Sequence, residues 1–394
     1  MTRASTLLAT LVATLVVALL VAGCGSEEQP KSKPAAPAAA PARSAEEAAP
    51  AEPADPLAKL SIGVLAGELV MTKFAGATAT DEELQAIRDL HLGGVILFGP
   101  NVIDRAQLRA LTASMQAARK PLAERYGLPG GVLVSVDQEG GSIRNVPFAP
   151  PEQTQPTLSG LPIAQVESIG RDVGAALVGD GVSMNLGPVA DLAAAPNRTM
   201  AGRAFGEDAA AIAPFVAAYA RGMETGGVAA AAKHFPGFGA STENSDNGIA
   251  YVDRTAVDLR AIDLPPFRAA IAAEVDAIMV SHGIYRGLGS KLPATLEPKV
   301  VTDLLRTELG FEGVAMTDSM NAKGFRDGWG DTVPRACPVA VAAGIDLLLL
   351  TGSMETAALC RKQILLAVKE GRLEEERVRE AAGRVLALKA RVAP

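Results

Sequence analysis

Ionisable side chains in this chain stand at the ends of apolar runs, where packing alone has no use for them. The run Gly131–Asp137 ends in Asp137, and Ser183–Val189 carries Asn185 and leads into Asp191. Ala230–Phe235 contains Lys233-His234, Ala277–His282 closes on Ser281-His282, and Gly313–Asp318 closes on Thr317-Asp318. Two of the chain's three histidines are among them. Carboxylates, an ammonium and imidazoles gathered in one place can transfer protons and stabilise developing charge. A single Asp in such a position is commonly the N-cap of a following helix. Five run-ends together point instead to one shared site.

The elements that must position these residues repeat a single theme: a short apolar run, a polar loop, an amphipathic stretch. Besides the runs already named, Leu69–Phe74, Gly94–Phe98 and Asp346–Leu350 complete a set of eight. Their β-branched and aliphatic content, bounded by Gly and Pro, suits strands buried on both faces. Helical patterns lie between them at Asp104–Arg119, Asp208–Gly226, Glu297–Glu308 and Met354–Lys369, with a last one at Glu374–Ala393. The apolar stripes of these helices are the faces that pack on a sheet, and the Glu/Arg alternation of the last is a solvated surface. Strands alternating with helices eight times predict an α/β fold, a (β/α)8 TIM barrel forming a single catalytic domain over residues 57–394. A doubly wound open sheet is the competing arrangement, but it rarely needs eight such units, and no Gly-rich phosphate fingerprint follows the first strand. In a barrel the strand ends share one rim, which is where the ionisable groups stand.

Lys233-His234-Phe235-Pro236-Gly237 resembles the lysine-histidine signature of glycoside hydrolase family 3, in its single-barrel β-N-acetylglucosaminidase branch. Other segments agree in order: Gly94-Val95-Ile96-Leu97-Phe98, Asp137-Gln138-Glu139-Gly140-Gly141 and Asn185-Leu186-Gly187-Pro188-Val189-Ala190-Asp191. Arg203-Ala204-Phe205-Gly206, Gly310-Phe311-Glu312-Gly313 and Thr317-Asp318 follow. The resemblance covers essentially the whole folded region and stops with the barrel. It implies a retaining exo-β-N-acetylglucosaminidase, with Asp318 as nucleophile and with Asp137, Arg203, Lys233 and His234 on the sugar hydroxyls. An ion pair of Lys233 or His234 with Asp137 or Asp191 is compatible with that role. The implied partner is an amino-sugar oligosaccharide or a peptidoglycan fragment, and no metal or organic cofactor is implied.

The chain departs from the family at the proton donor. Where this branch carries an Asp-Ser-His dyad on the loop after Lys-His, the chain reads Asn244-Ser245-Asp246. A family histidine in the following turn is Phe238, and the arginine after the Asp-Gln-Glu-Gly-Gly motif is displaced: Asn145 holds its position and Arg144 sits one residue early. In one reading Asp246, or its neighbour Glu243, swings in as a carboxylic general acid whose proton affinity rises when the loop closes. In the other, the loop is only polar surface, and the barrel binds saccharide with impaired or altered catalysis. A tethered adhesin or scaffold is a third reading, with no evident need for Asp318.

The formal net charge of −7, with no long basic run, excludes a nucleic-acid partner bound through bulk positive charge. Arg3, the apolar run Leu7–Val21 and Val21-Ala22-Gly23-Cys24 read as a lipoprotein signal over residues 1–23, with Cys24 the lipidated residue. An ordinary signal peptide or an uncleaved anchor helix is the alternative; each of these readings puts the protein outside the cytoplasm, and the lipid would hold it to the bacterial membrane. Residues 24–56, rich in Ala, Pro and Glu, lack the apolar surface to fold and predict a tether. Cys337 and Cys360 fall in helical patterns with no zinc-type spacing, which leaves open a disulfide or two buried thiols.

Overall fold

The computed structural model describes residue 57, residues 59–194 and residues 198–392. Cys24, the signal segment and the tether lie outside these. Eight parallel strands follow one another in chain order: β1 (Val70–Lys73), β2 (Gly94–Leu97), β3 (Leu133–Val136), β4 (Met184–Asn185), β5 (Ala229–Phe235), β6 (Ala277–Val280), β7 (Val314–Thr317) and β8 (Leu348–Leu350). Each pairs with the next, and β1 pairs with β8. The ring closes between β7 and β8 by a parallel bridge, Met316 with Leu347. Every strand falls inside a run expected from the sequence or within one residue of it, so the (β/α)8 barrel stands and the open sheet is excluded.

Alternation along the strands explains the closure. Met71, Ile96, Leu133, Met184, Ala229, Ala231, Met279, Met316 and Leu349 point inward and form one core. Their neighbours Val70, Val95, Val134, Ala230, Ile278, Ala315 and Leu350 point outward, under the helices. The small alanines of β5 leave interior room that the flexible methionines of other strands fill. Val385 and Leu388 of the last helix, Glu375–Arg391, join the inner core. The helices expected at Asp104–Arg119, Asp208–Gly226 and Met354–Lys369 are found at Arg105–Tyr126, Ala209–Thr225 and Met354–Lys369. Asp104, Asp208 and Ser353 cap them by accepting from first-turn amides. Cys337 and Cys360 form a disulfide, with Cα atoms 5.7 Å apart, which decides between the pairings left open by the sequence. Among the described residues, no helix is long and apolar enough to cross a membrane.

Candidate active site

The strand ends open into a cavity of about 250 Å³ lined by Asp137, Glu139, Arg203, Lys233, His234, Asp246 and Asp318, over an apolar floor that includes Ile96, Leu186, Met279 and Leu349. Successive residues of a regular strand point to opposite faces, so Lys233 and His234 would not both reach it. The register of β5 against β6 shifts between Lys233 and Phe235, and this bulge delivers both side chains to the rim.

Lys233 is buried and lies 2.6 Å from Asp137 Oδ1 and 2.6 Å from Glu139 Oε1. Burial works against its charge, but Asp137 and Glu139 prevail and raise its proton affinity. Arg203 grips Glu139 with both prongs, Nε donating to Oε2 at 2.8 Å and Nη2 to Oε1 at 2.7 Å. Burial would push the Glu139 carboxyl up; Lys233 and Arg203 instead hold it at about 2. A buried carboxylate with two cations therefore sits beneath Asp137, whose own side chain keeps 22% of its surface exposed toward the rim. Glu139 was quoted within the Asp-Gln-Glu-Gly-Gly motif but given no role. Its signal was its spacing: two residues after Asp137, it faces the same side of an extended segment.

His234 is fixed by Asp191. Its Nδ1 lies 2.6 Å from Asp191 Oδ2, which also accepts the His234 amide at 3.1 Å, while Oδ1 accepts the Phe238 amide at 2.6 Å. Lys233 is ion-paired with Asp137 and His234 is hydrogen-bonded to Asp191, the partners weighed from the sequence, and both residues still line the cavity.

Asp318 follows β7 directly. Its Oδ1 accepts the Ser319 amide at 2.6 Å. Burial would raise its proton affinity, yet His234, His282, the Ser319 amide and Lys233 hold it below the ordinary carboxylate range. His282 is itself pushed down by burial and so is neutral near pH 7. In that neutral form its Nε2 donates to the Ser319 carbonyl at 2.9 Å, while Nδ1 lies 3.0 Å from the Thr295 hydroxyl. His282 is thus a strut behind the Asp318 turn.

Asp246 shifts the other way. The residue as a whole is exposed, but its carboxyl lies among the groups that line the cavity. Partial burial and then the charge of Asp318 raise its proton affinity, against His234 and Arg203. Asn244 shapes its loop, the Asp246 amide donating to Asn244 Oδ1 at 3.0 Å. Glu243 does not reach the cavity; its Oε1 accepts the Asn244 amide at 3.0 Å. Nor does Arg144, whose Nη2 donates to the Pro147 carbonyl at 2.6 Å. Asn145, in the family's arginine position, ties two backbones instead: Gly99 donates to its Oδ1 at 2.9 Å and its Nδ2 to the Asp137 carbonyl at 3.1 Å. Among the described residues, no cluster of His, Cys, Asp and Glu has the arrangement of a metal site.

The cavity thus combines fixed hydrogen-bond donors and acceptors with two carboxyls whose proton affinities are shifted in opposite directions. Residues 62–388 match the glycosyl hydrolase family 3 N-terminal domain. A secreted glycosyl hydrolase of unassigned specificity from Arthroderma benhamiae is 34% identical over 345 residues, 86% of this chain and 96% of that one. A β-hexosaminidase of Stenotrophomonas maltophilia is 33% identical over 290 residues, 72% of this chain and 83% of its own. The solved structure of a family 3 β-N-acetylglucosaminidase from Paenibacillus superposes with a TM-score of 0.78 at 33% identity, over 84% of this chain. This chain spans only 63% of that longer protein. With the match running from the first helix of the barrel to its last, the chain belongs to glycosyl hydrolase family 3.

Proposed function

We propose that the protein is a retaining exo-β-N-acetylglucosaminidase that removes terminal β-linked N-acetylhexosamine from cell-wall-type oligosaccharides. The observation that carries this reading is that Asp318 and Asp246 line one cavity while their surroundings drive their proton affinities apart. Two carboxyls separated in this way divide into nucleophile and acid. Asp318, ionised, attacks the anomeric carbon; Asp246, protonated, gives its proton to the departing oxygen. A glycosyl ester on Asp318 results, and Asp246, now a base, takes a proton from the water that hydrolyses it. Asp137, Arg203, Lys233 and His234 orient the sugar hydroxyls, with Glu139 balancing the charge of the two cations behind them. The names of the bacterial relatives support the amino-sugar specificity. Export and anchoring through Cys24 follow from the N-terminal sequence; the description of the fungal relative as secreted supports export.

The test is release of 4-nitrophenol from 4-nitrophenyl N-acetyl-β-glucosaminide by the purified protein, with the anomer first formed read by NMR. We expect turnover with β-anomer released first, and loss of turnover to background in Asp318→Ala with saccharide binding largely kept. An inert parent protein, or an Asp318→Ala variant that still turns over, would sink the reading.

A further inference from the structure

The loop that carries Asp246 is seated rather than free. The Gly324 amide donates to the Ser245 carbonyl at 2.7 Å. A Cβ built on Gly324 would stand 2.1 Å from the Gly248 carbonyl oxygen and 2.7 Å from that of Ser245. Both obstacles are backbone, which cannot swing aside as the end of a side chain can, so only glycine admits the approach. Asp246 lies between the two residues whose carbonyls touch Gly324. Gly324 in turn belongs to the helix Lys323–Trp329, which begins just beyond the Asp318 turn. His282 braces that same piece at both ends, bonded to the Ser319 carbonyl and packed, tilted by 49°, with its ring centroid 4.5 Å from that of Phe325.

We propose that Gly324 is a positioning residue for the reaction: by seating the 245–248 backbone it fixes Asp246 with respect to Asp318. The exit of β7, residues 318–325, then acts as one bracket that holds its own nucleophile and the proton donor supplied by the exit loop of β5. The inference rests on Asp246 being the proton donor and deepens that reading. It replaces a swinging loop with a docked one, whose register a single methyl group disturbs.

The experiment compares two substrates in the full-length protein and in Gly324→Ala, Asp246→Ala and the double variant. N,N′-Diacetylchitobiose has a poor leaving group and depends on the acid; the 4-nitrophenyl glycoside depends on it little. Gly324→Ala is expected to lower kcat/KM on diacetylchitobiose by about 10²-fold, a typical value of general acid catalysis, with kcat/KM on the 4-nitrophenyl substrate within about threefold. The double variant should be no slower on diacetylchitobiose than Asp246→Ala, because the methyl group and the missing carboxyl remove the same step. Normal kcat/KM on diacetylchitobiose, equal losses of kcat/KM on both substrates, or losses that multiply in the double variant would overturn the proposal. If Asp246→Ala lowers kcat/KM, which reports the glycosyl-transfer step alone, equally on both substrates, the acid assignment falls and takes the proposal with it. If Asp246→Ala discriminates and Gly324→Ala does not, only the seating falls. Should Gly324→Ala not accumulate as folded protein, deuterium exchange of the unaltered chain decides: a Gly324 amide, the donor of the seating bond, that exchanges as slowly as the packed rim supports the seat, and exchange as fast as an unpaired amide overturns it.

Discussion

At the scale of the residue, the same cavity treats two carboxyls oppositely, and a pH profile should read both. Asp318 must be ionised to attack, and its proton affinity lies below the usual range, so kcat/KM rises through an acid limb set lower than an ordinary aspartate. Asp246 must be protonated to act, and its affinity is raised, so activity falls again at a basic limb above the usual carboxylate range. The profile is therefore bell-shaped, and Asp246→Asn should erase the basic limb on diacetylchitobiose while the acid limb stays. A basic limb unmoved in that variant would assign it to another group. Asp137, Lys233, His234 and Asp318 were legible in the sequence because ionisable groups at the ends of buried strands have few structural uses. Glu139 was not, since a glutamate inside a Gly-rich motif reads as a turn until its position opposite Lys233 is seen. Arg144 carried the opposite difficulty: one residue of displacement sends a side chain to the other face of an extended segment, and its guanidinium closes its own loop instead.

At the scale of the element, the strands were legible because both of their faces are buried, which makes each a short run of aliphatic residues bounded by Gly or Pro. The bulge in β5 was not, because nothing in Ala-Lys-His-Phe marks where the register shifts. Nor was the joint that ties the ends of the barrel wall together. Glu68 closes the first helix, Ile62–Glu68, and is fully buried between Arg119 of the helix Arg105–Tyr126 and Lys389 of the last helix, whose Nζ lies 2.5 Å from Glu68 Oε2. In the sequence, Arg119 and Lys389 look like ordinary members of solvated faces; burial emerges only when three helices converge. The cluster carries one negative and two positive groups, and burial, with Arg119 adding to it, pushes Lys389 down to about 8. Removing the anion leaves two cations without a counter-charge, so Glu68→Gln should cost about 3–5 kcal/mol of unfolding free energy. Urea denaturation should show the lower midpoint, with kcat unchanged for the fraction that stays folded. A midpoint within error of the parent would mean that water or neighbouring dipoles already solvate these cations.

At the scale of the whole molecule, the Cys337–Cys360 disulfide connects the fold to the compartment in which it forms. It joins the helix Val333–Ala342 to the helix Met354–Lys369 across β8, the strand that closes the barrel against β1. Sequence could not choose between pairing and two thiols, because residues on separate helices meet only if both helices pack on the same strand in a given rotation. A crosslink spanning 23 residues constrains the unfolded chain by about 3 kcal/mol in the chain-entropy view. Such a bond persists where the surroundings are oxidising, which accords with an exported protein. Both cysteines are fully buried, and a reduced pair would still pack as small apolar groups. Two consequences separate compartment from fold. Protein recovered from the envelope should show no free thiol at Cys337 or Cys360 under denaturing conditions, whereas the same chain kept in a reducing cytosol should show both. The reduced form, or Cys337→Ala with Cys360→Ala, should keep kcat on the 4-nitrophenyl substrate yet unfold at a lower urea concentration by the equivalent of about 3 kcal/mol. Free thiols in envelope-derived protein would argue against export through an oxidising compartment. Equal midpoints would show that β8 is held by its packing alone.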